Sequence, residues 1–352
     1  MLTSPGGSHK FAAMQPGTLK RFSLFEGSSQ GRRWPGIILG LMTVLAQAAQ
    51  SATNSAPAMN TQMFSTSTEL QSLVDRAAHD ALEKFATNKL APDQFAITLV
   101  DLNGAQPVAA NYRGSERIYP ASVVKLFYLV AAHRWMEDGR LKDTEELRHG
   151  MRDMIVDSCN EATGLVVDSV TDTTSGPELS PEELEQWHDK RNAVNRYFAS
   201  LGYTNINANR KPWNDGPYGR ERQSVKIHKA DDRNLLTTDA TARLMTEIMT
   251  DRAVTAERCH QMLELLHRDP ADQKEEGQVK GFVGETLPAG AKLWSKAGWT
   301  SQTRHDCAAI ELPGGKKFVL TIFTVGHANE PEILQTLART IISGLIKQDK
   351  PN

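Results

Sequence analysis

Thirteen residues, Val123 to Trp135, form a strongly apolar run with helical spacing that starts directly behind a proline turn, Tyr119-Pro120-Ala121. Ser122 and Lys125 stand at its entrance. Residues three apart share one face of a helix, so the spacing predicts the Lys125 amine beside the Ser122 hydroxyl. The first backbone N–H groups of a helix are unpaired, and the helix dipole favours negative charge there. A serine at that point can give its proton to a neighbouring amine, and backbone N–H groups can hold an oxyanion that forms next to it. An isolated S-x-x-K is ordinarily a helix-capping serine with a solvated lysine one turn on, so its meaning depends on the rest of the chain.

The chain has 352 residues, enough for one large domain or two small ones. Hydrophobic residues at 39% and charged residues at 23% suit a soluble globular protein, and a net charge of −2 argues against a nucleic-acid surface. Arg32-Arg33, the apolar run Ile37 to Leu45 and the small residues around Ala46-Gln47-Ala48 follow the order of a secretory signal. The run is too short for a convincing membrane span. A leader extension over 1–31, a signal peptide over 32–52 and a Ser/Thr/Ala/Asn-rich linker over 53–65 are therefore expected, followed by a mature domain over 66–350. The expected address is exported, periplasmic or secreted. Cys159, Cys259 and Cys307 allow one disulfide at most. Cys259, His260 and His267 lack the pattern of a zinc site, so neither a metal nor an organic cofactor is expected.

The spacing predicts a helix from about Ser67, a strand at Phe95–Val100, a turn at Asn103-Gly104 and a returning strand at Pro107–Tyr112. Helices are then expected at Glu145–Val156, around Leu165–Val167, from Ser180 to Leu201, at Thr238–Met249 and at Glu257–Leu265. Residues 203–234 lack clean periodicity and read as a long functional loop. The last third predicts strands at Lys292–Trp299, Cys307–Leu312 and Phe318–Val325, closed by an amphipathic helix over Pro331–Lys347. Strands, then helices, then strands and a helix imply an α/β (α+β) domain, its sheet interrupted by a helical insertion. The sheet lobe is expected over about 66–118 and 280–350, and the helical lobe over about 119–279.

Three elements occur in order: Ser122-x-x-Lys125, Ser158-x-Asn160, and Lys296-Ala297-Gly298 on a late strand. Together they resemble the S-x-x-K, S-D-N and K-T-G elements of class A β-lactamases and penicillin-binding serine hydrolases. The likeness extends over about 66–350. It implies an antiparallel sheet flanked by helices, with an inserted all-helical subdomain carrying the active-site helix. It also implies Ser122 as nucleophile, Lys125 as its base, and Ser158 as a proton shuttle to the leaving nitrogen, with Lys296 lowering the cost of an alkoxide nearby. The backbone N–H groups of Ser122 and Trp299 would form the oxyanion hole. Asn160, Gly298, Thr300 and Arg304 would bind substrate, Arg304 through a carboxylate.

Three departures matter. Cys159 stands where the family usually has Asp, and Ala297 replaces a Thr or Ser whose hydroxyl is worth about 0.5–1.5 kcal/mol to a neutral hydrogen bond; Thr300 is expected to compensate in part. The E-x-x-L-N element, whose glutamate activates the deacylating water, is missing, and Glu221 or Asp215 would have to serve. The resemblance implies a monomeric, exported serine acyl hydrolase that opens β-lactam amides. The alternatives are a D-alanyl peptidase, transferase or esterase merely trapped by β-lactams, and a non-catalytic protein that binds cell-wall peptide.

Overall fold

A computed structural model describes residues 64–229, 233–272, 274–275 and 277–348. The leader, the signal segment and all but the last two residues of the linker expected over 53–65 lie outside the described residues. Seven strands make one sheet: β1 (Ser65–Thr66), β2 (Phe95–Asp101), β3 (Val108–Tyr112), β4 (His267–Arg268), β5 (Lys292–Trp299), β6 (Thr303–Glu311) and β7 (Lys317–Val325), in the order β1-β3-β2-β7-β6-β5-β4. Every neighbouring pair is antiparallel except β1 with β3. β1 lies on Ser65, inside the expected linker. β4 comes from the segment expected to be purely helical, because His267 and Arg268 pair with Trp294 and Leu293 at the edge of β5.

The central strands are apolar on both faces, which requires cover on both sides. On β7, Phe318, Leu320 and Ile322 face a core completed by α1 (Thr68–Lys84) and α10 (Pro331–Gln348), while Val319 and Phe323 face the other. This is the two-residue alternation of a strand. The second core holds α2 (Lys125–Glu137), α3 (Glu145–Ile155), α4 (Asn160–Thr171), α8 (Thr238–Met249) and α9 (Ala256–Leu266). Eleven of the thirteen residues of α2 are buried. A helix apolar on all sides has to be enclosed, and this one runs through the helical lobe as its axis, fixing the place of Ser122 and Lys125.

The long helix expected from Ser180 divides into α5 (Pro181–Arg191) and α6 (Ala193–Ser200). Asn192 divides them: its amide donates to the His188 carbonyl at 3.0 Å and its Oδ1 accepts from Asn195 and Asn209. The segment expected to be irregular contains α7 (Gly219–His228). Its buried positions are Glu221 and Ser224, both polar, so it shows no apolar period for a sequence reading to find. Among the described residues no helix is long and apolar enough to cross a membrane, and the three cysteines are free thiols.

Candidate active site

Ser122 lies in a short 3-10 turn, Ala121–Val124, that leads into α2. Ala121 has φ 46°, a left-handed conformation that costs a residue with a Cβ about 1 kcal/mol or more. Ser158, between α3 and α4, is also left-handed at φ 55°. Both sites of strain flank the groups expected to react.

Lys125 Nζ is buried and donates to the Ser158 carbonyl at 2.5 Å, to Asn160 Oδ1 at 3.0 Å and to Ser158 Oγ at 3.3 Å. From the other side, Lys296 Nζ donates to Ser158 Oγ at 3.0 Å, to Gln278 Oε1 at 2.6 Å and to the Ala297 carbonyl at 2.7 Å. Ser158 Oγ thus sits between two amines. Burial brings Lys125 down to about 7, against the opposing pull of Cys159 and Glu161. Burial, reinforced by the charges of Lys125 and Arg268, holds Lys296 well below its ordinary value. Near neutral pH an amine is therefore present in its base form, as proton abstraction from a serine requires.

Strand parity fixes where the Trp299 N–H, expected to hold an oxyanion, points. Thr300 N donates to the Thr303 carbonyl at 2.9 Å, across the β5–β6 turn. Successive amides of a strand point to opposite sides, so the Trp299 N–H points away from β6. The Ala297 N–H does the same and reaches Gln278 Oε1 at 3.1 Å. Gly298 brings this edge of β5 against the Ser122 turn: a Cβ there would lie 2.8 Å from Ser122 N and from the Pro120 carbonyl, and 2.9 Å from Val123 N. Ser122 and Trp299 both line one cleft of about 490 Å³, with Ser158, Asn160, Asn214, Phe282 and Arg304.

Arg304 reaches that cleft as expected. Its Nε donates to the Ala328 carbonyl at 2.8 Å and its guanidinium stacks over Phe282 at 4.9 Å, so these contacts leave its charge for an anion. Thr300 is different. Its hydroxyl accepts from Gln302 N at 3.0 Å and Thr303 N at 3.2 Å, closing the β5–β6 turn, and it does not line the cleft. It does not replace the hydroxyl missing at Ala297.

One cleft is lined by Ser122, Ser158, Asn160, Trp299 and Arg304, with Lys125 and Lys296 bonded to Ser158 and Gly298 set against the Ser122 turn. The hydrogen bonds of Lys125 Nζ go to Ser158 and Asn160 and not to the Ser122 hydroxyl beside which its spacing predicts it. The profile of the Beta-lactamase enzyme family matches residues 146–345, which include Ser158, Asn160 and Lys296 to Gly298. The chain belongs to that family. A solved β-lactamase from Sphaerobacter thermophilus DSM 20745 is similar over 80% of this chain and 99% of its own, at 21% identity and a TM-score of 0.56. PBP-A is similar over 79% and 97%, at 16% identity and 0.56; a mutant of PBP-A has been solved as an acyl-enzyme complex with penicillin G. A representative of class A β-lactamase from Bacteroides cellulosilyticus DSM 14838 covers 79% and 99%, at 15% identity and 0.55. At these identities the likeness is one of fold. A search of curated proteins returns no match.

As a β-lactamase-family serine hydrolase, the chain needs an account of how an acyl group leaves, and neither carboxylate singled out in the sequence lines the Ser122 cleft. Glu221 is buried on α7, where it accepts from Arg191 Nη2 at 2.8 Å and Ser175 Oγ at 3.0 Å and lies 3.4 Å from Lys211. Those cations and Asp168 make it part of a buried ion cluster under the 203–218 loop. Asp215 lines a neighbouring hollow with Trp213 and Tyr218. The carboxylates that do line the cleft, among the described residues, are Asp157 and Glu275. Asp157 pairs with Arg152 at 2.9 Å and Glu275 with Lys280.

Two groups were not visible in the sequence, one in the cleft and one beneath it. Asn214 Oδ1 accepts from Asn160 Nδ2 at 2.7 Å, and Asn214 Nδ2 donates to Glu161 Oε1 at 2.5 Å. The irregular stretch that holds it was the available signal. Gln278, beneath Lys296, had none.

Proposed function

We propose that the protein is an exported, monomeric acyl-transferring serine enzyme that opens β-lactam amides, or D-alanyl amides of the same shape, by forming an ester on Ser122, and that it releases the acyl group slowly. The observation that carries the reading is Ser158 Oγ held between Lys125 and Lys296 in the cleft that Ser122 also lines. In the first step neutral Lys125 Nζ takes the Ser122 hydroxyl proton and Oγ bonds to the carbonyl carbon. The carbonyl oxygen becomes an oxyanion facing the N–H groups of Ser122 and Trp299. The C–N bond then breaks, Ser158 Oγ passes a proton to the leaving nitrogen, and Lys125 returns to Ser158 the proton it took from Ser122. Arg304 offers its charge to a substrate carboxylate.

Slow release is supported by the cleft carboxylates being tied to cations, and by Glu221 lying in the ion cluster. Rapid turnover, as in a class A β-lactamase, is the second reading; a neutral Lys125, free again after acylation, could activate water. Export is supported by the signal-like order over 32–52. Intact-protein mass spectrometry after mixing with a penicillin tests the proposal. A long-lived adduct that disappears in Ser122→Ala is expected. Disappearance of free penicillin without accumulating adduct supports the second reading, and an adduct persisting in Ser122→Ala overturns the mechanism.

A further inference from the structure

Gln278 is buried, with four hydrogen bonds from one amide. Its Oε1 accepts from Lys296 Nζ at 2.6 Å and from Ala297 N at 3.1 Å. Its Nε2 donates to the carbonyls of Ile155 at 2.8 Å and Val156 at 2.9 Å. The partners fix which end of the amide is which: Ala297 N can only donate, and the two carbonyls can only accept. Ile155 and Val156 end α3, two to three residues before Ser158, and their carbonyls are among those a helix leaves unpaired. Lys296 and Ala297 lie on β5, two to three residues before the Trp299 amide. One side chain therefore ties the end of the helix that presents Ser158 to the strand that presents Lys296 and the oxyanion donor.

We infer that Gln278 is a positioning residue for acyl transfer, holding Lys296 Nζ against Ser158 Oγ and fixing the spacing between the α3 end and β5. The inference rests on the proposed role of Ser122 as nucleophile. Without Gln278, the Val156 carbonyl and the Ala297 N–H would lose the partner it supplies, an unfavourable state for buried groups, while the Ile155 carbonyl would keep the Arg268 Nη2 donor at 2.9 Å. Lys296 Nζ would keep Ser158 Oγ and the Ala297 carbonyl, and its ammonium form would lose an acceptor. Arg268 does not substitute for the Gln278 oxygen, since a guanidinium only donates and cannot accept from Lys296 Nζ or Ala297 N. The charged groups around Lys296 are Lys125, Arg268 and Asp306; Gln278 is the neutral acceptor among them.

The test compares wild type with Gln278→Met, which keeps the length and loses the amide, and Gln278→Glu, which keeps an acceptor for Lys296 but sets a carboxylate against two carbonyls. Acylation of Ser122 by a penicillin is followed by mass spectrometry from pH 5.5 to 9, with melting temperature measured alongside. Gln278→Met is expected to acylate 10- to 100-fold more slowly. Gln278→Glu, whose carboxylate favours the ammonium form of Lys296, is expected to move the limb of the profile that titrates with Lys296 to higher pH. Separately, titration of Lys296 by lysine-labelled NMR is expected to show a lower value in Gln278→Met and a higher one in Gln278→Glu, with no substrate present. If wild type forms no adduct, the proposed function fails, while the NMR titration still judges the Gln278–Lys296 link. If wild type acylates and folded variants match its rate within threefold with unshifted profiles, Gln278 is structural only and the inference fails. Should Gln278→Met not fold, Gln278→Glu decides by the same two readouts; should neither fold, Gln278 is structural and the inference is overturned.

Discussion

Gly298→Ala is the most direct probe of the proposed oxyanion site. The added Cβ would lie 2.8 Å from Ser122 N and from the Pro120 carbonyl, against about 3.4 Å for ordinary contact, and both obstacles are backbone. Neither can rotate aside, so β5 and the Ser122 turn must separate by about 0.6 Å. That movement carries the Trp299 N–H away from Ser122. Complete loss of one oxyanion donor costs about 10²–10³ in rate, and overpacking costs about 1–3 kcal/mol of stability. The expected result is acylation by a penicillin slowed about 100-fold, in a protein that still melts cooperatively. Time-resolved mass spectrometry reads the rate and calorimetry the stability. Gly314→Ala, where nothing lies within 4 Å of the added atom, serves as the control. A folded Gly298→Ala protein acylating within threefold of wild type would refute the close approach of β5 to Ser122 as the source of oxyanion stabilisation.

Three further outcomes follow from the buried charges. With Lys125 near 7 and its neutral form acting as base, the acylation rate should rise about tenfold per pH unit below 7 and level off above it; a flat profile from 5.5 to 8.5 would remove Lys125 from that role. His133 and His305, both buried, are held down to about 4 by desolvation. Unfolded chains protonate near 6.5, so the unfolded state binds more protons as pH falls from 6.5 to 4, and stability should decline across that window by up to about 3 kcal/mol per histidine. Urea unfolding of wild type and His133→Gln over that range measures it, the variant showing the shallower slope. Glu221→Ala should be destabilising, by at most about 3–5 kcal/mol, because buried Arg191 and Lys211 are left to share Asp168, with adduct release changed less than threefold; a selective halt in release with stability intact would instead make Glu221 the hydrolytic base.

Much of this protein was legible from the order of residues alone. The alternating or continuous apolar runs gave β2, β5 and β7 to within about a residue at each end, because strand burial imposes a period that sequence displays directly. The Ser122, Ser158 and Lys296 motifs announced a site because the chemistry of acyl transfer demands those residue types. Where the fold depends on polar burial, that signal disappears. α7 was missed because its inward face is Glu221 and Ser224, and a carboxylate paired with a buried arginine is identical in sequence to one in solvent. The break at Asn192 was missed for a similar reason: no glycine or proline marks it, only side-chain bonds to residues brought near by folding.

Sequence by itself determined where Ser122, Ser158 and the two lysines lie along the chain and the elements that carry them, since local pattern and residue type suffice for these. Tertiary structure alone decided the rest. It put Ser158 between Lys125 and Lys296, turned Thr300 into its own hairpin, withdrew Glu221 into an ion cluster and set Gln278 under Lys296. Burial and proximity between residues distant along the chain set the charge state of an amine and the partner of an amide. Those quantities come into being only when the α3 end, β5 and the α2 turn share one cleft.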